Sequence, residues 1–572
     1  MKLAVSEASS VRRSVVTAQT YSDLHTVANH HGEASKPRPA RLVGVSVETQ
    51  HPPDLAHGTF STSAPWLVDP EQMQWRRGVD SLRDRTRRSV PELVKARRFP
   101  PLGRLVETTR LFGWSVLRWR LGAGRKGGSE SKADLSHRLR VSAEHLGPTY
   151  IKLAQIISAG EGVFPDELVD ELKKCRDQVK PEPFDTVRAT LERELGRPPE
   201  HIFDWISPDA LAAASIAQVH EARLRTGEEV VIKVQRSTVG ELVGKDLRTL
   251  AWLAPFLIGR IPVSALANPP ALVELFAETI TEELDFRLEA QNLLDIASTL
   301  EKLGQTDWVV PRPHPDLVSP RMLVMEKVEG FAFDDVAGIT DAGIDTHKVV
   351  RNVMVAFLES ATLHGVFHGD FHGGNLFVQH DGMIALLDFG ITGRMNEFKR
   401  RAFLRLMMGA TSNDQRVQME AMRDLGALPP DADIDAVISD LGLDQAAVDP
   451  TALSQEQLLH EVQRVVKALL GYGARLPKEL MLFTKNMIFL SSMIGRLAPD
   501  IDLIAEIQSI AMHFAMRHGQ QLAKDSGIAV DPDEIDLTGV KASMGLDSDV
   551  DSLTWAELRA RREIIVKRMG GN

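Results

Sequence analysis

An aspartate and an asparagine in one short loop, followed by a second aspartate at the end of an apolar run, constrain this chain most strongly. The loop reads HGDFHGGN and places Asp370 and Asn375 at a D-x-x-x-x-N spacing. The run MIALLDFG follows, and its apolar residues predict a buried strand that ends at Asp388. Carboxylate and amide oxygens are the ligands that Mg²⁺ takes beside phosphate groups. The pattern therefore predicts a phosphoryl-transfer site, in which Asp370 orients the attacking group while Asn375 and Asp388 hold Mg²⁺.

A lysine in the middle of an apolar strand supplies the next part of the pattern. Lys233 lies at the centre of EVVIKVQ, where a buried ammonium group requires a partner of opposite charge. Glu289, in the helical stretch LDFRLEAQN, is the predicted partner, and nucleotide phosphates provide the other. Taken singly, these features also fit an edge-strand lysine, a polar loop or a turn after a strand. In this order along the chain they favour a catalytic site formed by Asp370, Lys233 and Glu289.

The distribution of periodic patterns predicts an α+β protein with two lobes. Residues 216–236 alternate in the manner of strands around a Thr226-Gly227 turn, which indicates a β-hairpin. From about residue 346 the chain is mostly helical, apart from two short strand-like pieces, NLFVQ and MIALLDF. A strand-rich half followed by a helix-rich half is the layout of a two-lobed, protein-kinase-like fold.

Composition excludes several alternatives. The net charge of −11 argues against a protein that wraps nucleic acid, so no nucleic-acid partner is expected. A single cysteine cannot form an intramolecular disulfide and favours a cytoplasmic setting. We find no apolar run that predicts a transmembrane helix, so any membrane contact is expected to be peripheral.

One basic stretch has two interpretations. Residues 111–121 read LFGWSVLRWRL and place Trp114 and Trp119 among arginines. A basic amphipathic helix with interfacial tryptophans suits an anionic membrane surface. The alternative, which the sequence favours, is a solvated helix packed on the main domain.

Several motifs in order resemble those of the UbiB atypical kinases, the ADCK group of protein-kinase-like proteins, over about residues 100–515. The resemblance rests on an alanine-rich loop, IAQVH, VVIKVQ, ELDFRLEAQN, HGDFHGGN and LLDFG. Ordinary protein kinases have a glycine-rich loop at the position of these alanines. Alanine has less freedom at positive φ than glycine, so we expect a stiffer loop here.

The resemblance implies ATP or ADP and Mg²⁺ as cofactors. The implied nucleotide-binding residues are Ala212, Ala213, Ala214, Ser215, Lys233, Glu326, Lys152 and Gln155. Lys152 and Gln155 would belong to the family's K-x-G-Q helix, which folds over the active site and blocks protein substrates. Glu283 and Asp285 would form the E-x-D element that contacts this helix. The family is tied to isoprenoid quinone lipids and to ATPase activity, which implies an isoprenoid lipid or quinone precursor as a partner.

Composition and periodicity predict six segments, and the resemblance implies that an extra N-terminal helical extension lies over the active site. We predict a disordered segment 1–72, a basic helical extension 73–133, a helical region 134–205 with the KLAQ motif, an N-lobe 206–332, a helical C-lobe 333–520, and a polar tail 521–572 with a terminal helix.

The chain departs from the family pattern at three positions. Ala154 replaces the glycine of K-x-G-Q, which puts close backbone packing there in question. Phe371 and Gly373 replace two prolines of the catalytic loop, and their loss is expected to loosen that loop. A protein kinase, a small-molecule phosphotransferase and an ATP-gated scaffold remain as alternative functions.

Overall fold

The computed structural model describes most of the chain from residue 73 onward. The described residues are 66, 73–95, 101–125, 127–158, 165–175, 180–257, 269–443, 471–474, 477–528, 535–544, 546 and 550–568. The predicted disordered segment 1–72 lies outside them, except for Trp66. Trp66 is 4% exposed and its indole nitrogen donates a hydrogen bond to the Pro313 carbonyl at 2.9 Å, so this residue is packed, while the segment as a whole stays a prediction.

Helices precede the first strand and make up the N-terminal part of the described chain. They are α1 (Val79–Leu93), α2 (Leu102–Leu121), α3 (Gly128–Leu146), α4 (Pro148–Ser158), α5 (Asp166–Leu172) and α6 (Phe184–Leu195). Helix α6 ends where Gly196 takes a left-handed conformation, with φ 64°, that suits glycine. Ala154 of α4 is buried against Tyr150, Leu146 and Cys175, so alanine is accommodated in this helical packing.

The N-lobe is an antiparallel sheet flanked by helices. Its strands are β1 (Phe203–Ile206), β2 (Ala212–Ala213), β3 (Ala217–Leu224), β4 (Glu229–Gln235), β6 (Pro313–Val318) and β7 (Met322–Glu326). The order is β1-β3-β4-β7-β6, and β2 pairs with β3. The predicted hairpin over 216–236 is confirmed by the continuous β3–β4 ladder. Lys233 lies in the middle of this sheet, opposite Val219 and Leu323.

Three further helices follow β4. They are α7 (Val239–Leu257), α8 (Pro269–Glu282) and α9 (Phe286–Lys302). The Asp285 carboxylate caps α9 by accepting a hydrogen bond from the Arg287 amide at 3.1 Å. Most of α9 is buried against β6 and β7, which fixes the helix beside Lys233.

The C-lobe is mostly helical around two small sheets. One sheet has the order β5-β11-β10-β8 and the other joins β12 to β9. The strands are β5 (Trp308–Val309), β8 (Phe331–Ala332), β9 (Val366–His368), β10 (Leu376–Val378), β11 (Ile384–Leu386) and β12 (Thr392–Arg394). Strands β5 and β8 come from the segment predicted as N-lobe, yet both join the sheet of the C-lobe.

The C-lobe helices complete the architecture. They are α10 (Val336–Asp341), α11 (Thr346–Glu359), α12 (Glu397–Thr411), α13 (Gln415–Leu425), α14 (Ile434–Leu441), α15 (Lys478–Leu497), α16 (Leu503–Ser526), α17 (Thr538–Ser543) and α18 (Trp555–Arg568). A π-helical turn, Ser360–His364, continues α11. The two-lobed α+β fold and the terminal helix are confirmed, while the six segment boundaries remain predictions. None of the described helices combines the length and hydrophobicity needed to cross a bilayer.

Candidate functional site

Strand β4, helix α9 and the loop after β11 bring three charged side chains together. The Lys233 ammonium nitrogen lies 2.6 Å from Oε1 of Glu289 and 3.0 Å from Oδ1 of Asp388. Glu289 is in the first turn of α9 and its side chain is 3% exposed, whereas 45% of the Asp388 side chain is exposed. The lysine therefore joins a buried carboxylate to one that faces solvent.

The charges of this trio perturb one another. Burial alone would lower the pKa of Lys233, but Asp388 and Glu289 outweigh it and hold the pKa above its usual value. Burial would likewise raise the pKa of Asp388, but Lys233 and Lys152 reverse the effect and lower it. For Glu289 burial prevails over Lys233 and raises the pKa to about 7. Lys233 and Asp388 are thus charged at neutral pH.

The backbone around Asp388 is unusual. Asp388 has φ 56°, in the left-handed region that non-glycine residues rarely occupy. Its Oδ1 accepts a hydrogen bond from the Gly390 amide at 3.2 Å. One turn beyond Glu289 on α9, Asn292 donates from its amide nitrogen to the Phe389 carbonyl at 2.8 Å. Helix α9 therefore positions both the buried carboxylate and the loop that carries Asp388.

The catalytic loop is linked to the Asp388 loop through His368. The Asp370 amide donates to Nδ1 of His368 at 3.2 Å, and His368 Nε2 lies 2.7 Å from the Asp388 carbonyl. The first contact makes Nδ1 an acceptor, so Nε2 carries the proton and donates it to the carbonyl. Asn375 donates from Nδ2 to the Asp370 carbonyl at 3.0 Å. These bonds hold the two aspartates in one arrangement.

Two residues of α15 that the sequence analysis did not assign contact the same loop. The Lys485 ammonium group forms an ion pair with the Asp370 carboxylate. Asn486 is fully buried, accepts from the Phe371 amide at 2.9 Å and donates to the His368 carbonyl. Burial would raise the pKa of Asp370, but Lys485, His372 and Lys152 together lower it. The available signal was a Lys-Asn pair within an otherwise apolar helix, LFTKNMIFL.

Phe371 and Gly373, which replace the two prolines of the family's catalytic loop, have different surroundings. Phe371 is buried and stacks on His368, with ring centroids 5.3 Å apart and planes at 16°. It also packs against Phe357 at 5.2 Å. At Gly373 a Cβ atom would lie 2.5 Å from Cγ of Asp334. An aromatic anchor thus holds the loop at Phe371, where loss of proline was expected to loosen it, and a side chain at 373 would require Asp334 to move.

Helix α4 of the N-terminal part reaches the same cluster. The Lys152 ammonium nitrogen lies 3.0 Å from Oε1 of Glu283, and both side chains are almost buried. Burial raises the pKa of Glu283, and Lys152 opposes that shift. Asp285 pairs with Arg287 at 2.7 Å and caps α9, while Glu283, the first acid of E-x-D, pairs with Lys152. Gln155 follows on α4 and is partly buried.

The alanine loop forms a separate tight turn. Ala212 and Ala213 pair with β3, and the Ala214 amide donates to the Ala217 carbonyl at 2.8 Å. Arg236 donates from Nε to the Ala214 carbonyl at 3.0 Å and from Nη1 to the Lys180 carbonyl at 3.0 Å. Ser215 is buried within the turn. The loop is therefore braced by an arginine that lies just beyond β4.

Glu326 lies at the end of β7, opposite Val230. Its Oε2 accepts a hydrogen bond from the Arg312 amide at 3.3 Å. The structure thus brings six of the predicted residues into one polar cluster: Lys233, Glu289, Asp388, Asp370, Asn375 and Lys152. It places Ala212 and Ala213 in β2, Ala214 and Ser215 in the turn before β3, and Glu326 in the same sheet as Lys233.

Comparison with known proteins finds relatives whose sequences are similar to that of this chain. The profile of the ABC1 atypical kinase-like domain matches residues 174–422. An uncharacterized protein of Mycobacterium tuberculosis is 34% identical over 379 residues, which cover 64% of this chain and 75% of the relative. An uncharacterized, chloroplastic aarF domain-containing protein kinase of Arabidopsis thaliana is 31% identical, with coverages of 64% and 73%. A probable protein kinase UbiB of Sodalis glossinidius is 29% identical, with coverages of 64% and 68%.

Proposed function

This chain belongs to the family of ABC1 atypical kinase-like proteins, and on that premise we propose that it binds and turns over ATP with Mg²⁺ as a UbiB-type kinase or ATPase. The observation that carries the proposal is the position of Lys233 between Glu289 and Asp388. A lysine held by a helix carboxylate beside a metal-binding aspartate is the arrangement that positions nucleotide phosphates in kinases.

The donor groups fit Mg²⁺. This ion takes oxygen ligands and usually binds through one or two carboxylates together with phosphate oxygens. Asp388 presents a carboxylate whose side chain is 45% exposed. Asn375 donates from its amide nitrogen to the Asp370 carbonyl, which leaves its oxygen for a cation. Asp388 and Asn375 would hold the ion, which would neutralise charge on the phosphates. Lys233 would contact the phosphates, and Asp370 would orient the attacking hydroxyl or water.

An acceptor smaller than a folded protein is favoured by the position of α4. Lys152 pairs with Glu283 and also lowers the pKa values of Asp370 and Asp388, so its ammonium group lies within electrostatic range of both aspartates. A protein substrate would have to displace this ion pair to reach Asp370. We therefore propose that the reaction serves isoprenoid quinone or lipid metabolism, in line with the resemblance to UbiB proteins, rather than protein phosphorylation.

A membrane surface is the proposed location of that chemistry. Helix α2 leaves an apolar side exposed, which includes Val106 at 61%, Trp114 at 57% and Leu121 at 61%. The Arg118 guanidinium lies over the Trp114 ring at 5.5 Å. Trp119, in contrast, donates from its indole nitrogen to the Ser131 carbonyl at 2.8 Å and packs on α3. One side of α2 thus binds the protein, and the other suits an anionic lipid surface.

Nucleotide binding by the purified full-length protein tests the proposal. Titration calorimetry with ATP, with and without Mg²⁺, should give binding that depends on Mg²⁺. Phosphate release should be measured alone, with anionic vesicles, and with an isoprenoid-substituted phenol as a quinone-precursor mimic. Asp388→Asn should lose Mg²⁺-dependent binding and turnover. Asp381→Asn is the matched control, because Asp381 is exposed and its carboxylate accepts a hydrogen bond from the Met383 amide in the turn between β10 and β11.

Two outcomes would contradict the proposal. Mg·ATP affinity and turnover that are equal in wild type and Asp388→Asn would reject the nucleotide site. Transfer of labelled phosphate to a protein, lost in Asp370→Asn, would replace the lipid-linked function by protein kinase activity.

A further inference from the structure

A glutamate and two histidines meet in the C-lobe, on elements that do not contribute to the nucleotide site. Glu359 is the last residue of α11, and His513 and His518 lie on α16. The Nε2 atoms of both histidines lie 2.8 Å from the same oxygen, Oε1 of Glu359. One ligand atom from each residue lies within 4.8 Å of the other two. Three potential metal ligands therefore converge on one point.

The surroundings hold the carboxylate in place. The Glu359 side chain is 0% exposed, and its second oxygen accepts a hydrogen bond from the Gln305 amide nitrogen at 2.5 Å. The chain turns directly from Glu359 into the π-helical turn Ser360–His364, which is an uncommon conformation often found at functional sites. Oε2 is thus fixed by Gln305 while Oε1 points at the two imidazoles.

We propose that Glu359, His513 and His518 bind a divalent transition metal, with Zn²⁺ as the expected ion. Imidazole nitrogen and carboxylate oxygen are ligands that suit Zn²⁺, and two histidines with one glutamate form a known type of zinc site. Tetrahedral bonds of about 2.0–2.1 Å require ligand atoms roughly 3.3 Å apart. The 2.8 Å nitrogen–oxygen distances would need to open by about half an ångström, with loss of both Nε2 protons.

The rest of the environment leaves one coordination position of the ion for water. The Phe514 ring lies 6.1 Å from His513 and 6.0 Å from His518, and it packs on a cluster of buried leucines: Leu303, Leu363, Leu404 and Leu522. This apolar side limits competition from water. His513 is 33% exposed and His518 is 13% exposed, so the fourth ligand can be a water molecule on the His513 side. The ion would join α11 to α16 and stabilise the C-lobe.

Metal titration of the tag-free, full-length protein tests this assignment. After dialysis against chelator, Zn²⁺ binding should be followed by calorimetry, and Co²⁺ should be added as a spectroscopic probe. We expect one site of this type, with visible absorption from tetrahedral Co²⁺ and a higher melting temperature when Zn²⁺ is present. His513→Gln and His518→Gln should each weaken this site by about 100-fold or more, and Gln305→Leu by about tenfold because it removes only a supporting contact.

The control is His347→Gln, since His347 also pairs with a carboxylate, Asp500, but belongs to no cluster of three potential metal ligands among the described residues. It should keep wild-type Zn²⁺ affinity. Equal Zn²⁺ affinity in wild type and His513→Gln, or Co²⁺ that gives no tetrahedral absorption, would overturn the proposal. If His518→Gln does not fold, the more exposed His513→Gln still decides. Because Asp388→Asn should leave Zn²⁺ binding intact, failure of the nucleotide proposal can be distinguished from failure of this one.

Discussion

Lys152 and Glu283 form an ion pair, with 3.0 Å between Nζ and Oε1, that joins helix α4 to the segment just before α9. Because α9 also carries Glu289 and Asn292, this one contact connects the N-terminal helices to both the lysine pair and the Asp388 loop. The helices before the N-lobe are therefore part of the charged site rather than an appendage to it.

Breaking this pair on one side should be costly. In Lys152→Met the nearly buried Glu283 loses its partner, and we expect the free energy of unfolding to fall by about 3 kcal/mol. The double variant Lys152→Met/Glu283→Leu should lose less, since no unpaired charge remains. Denaturant titration measures both. Lys245→Met, which removes an exposed ion pair with Glu241, is the control and should cost less than about 0.5 kcal/mol. Equal losses in Lys152→Met and the control would argue against the burial of this pair.

Asn486 should be important for stability and for ATP turnover, although it lies outside the motifs that predicted the site. Replacing it by leucine leaves the Phe371 amide and the His368 carbonyl unsatisfied in a buried region, so we expect a loss of about 3 kcal/mol and reduced ATP turnover. Unfolding and phosphate release are the measurements. Asn396→Ala is the comparison, because Asn396 only caps α12 and should cost about 1 kcal/mol without affecting turnover. If Asn486→Leu loses no more stability than Asn396→Ala and keeps its ATP turnover, the loop that carries Asp370 does not depend on α15.

Stability should respond to pH through Glu289. Burial raises its pKa from 4.5 to about 7, so the folded protein binds more protons than the unfolded chain in that interval, and wild type loses stability as pH rises through it. Glu289→Gln lacks this titration. Its free energy of unfolding, measured by urea titration, should therefore rise relative to that of wild type between pH 5 and pH 7.5. Asp388 has a lowered pKa, so its contribution to stability is lost only as pH falls below about 4. The difference in the free energy of unfolding between Asp388→Asn and wild type should therefore stay constant between pH 5 and pH 7.5. The same pH dependence of stability in Glu289→Gln and Asp388→Asn would contradict the raised pKa of Glu289.

The exposed side of α2 should control membrane binding. Trp114→Gln removes the largest exposed apolar side chain of that helix and should reduce co-sedimentation with vesicles containing anionic lipid by about tenfold. Trp205→Gln is the matched control, because Trp205 is 48% exposed but belongs to β1 rather than to α2. Neutral vesicles should bind wild type weakly. Equal loss in the two tryptophan variants would show that general hydrophobicity, and not this helix, mediates binding.

Much of the site was accessible from the sequence because its chemistry is local. Strand alternation placed Lys233 in a buried strand, and the short spacing from Asp370 to Asn375 defined a loop without knowledge of the fold. The contacts that the sequence did not predict are made between residues that lie far apart along the chain. Asn486 bonds to residues 115 and 118 positions away, and no periodicity marks such a partner. Trp66 lies in a polar segment, yet it docks on Pro313, 247 positions away.

The sequence by itself determined the residue types, their order and the elements that carry them, because side-chain periodicity and loop spacing are local properties of the chain. Apart from the Lys233–Glu289 pair, only the tertiary structure decided which cation faces which carboxylate. Lys152 pairs with Glu283 whereas Asp285 turns to Arg287, and Lys485 rather than a residue of the motif itself holds Asp370. The physical reason is that an ion pair forms between groups that packing brings within a few ångströms, whatever their separation along the chain.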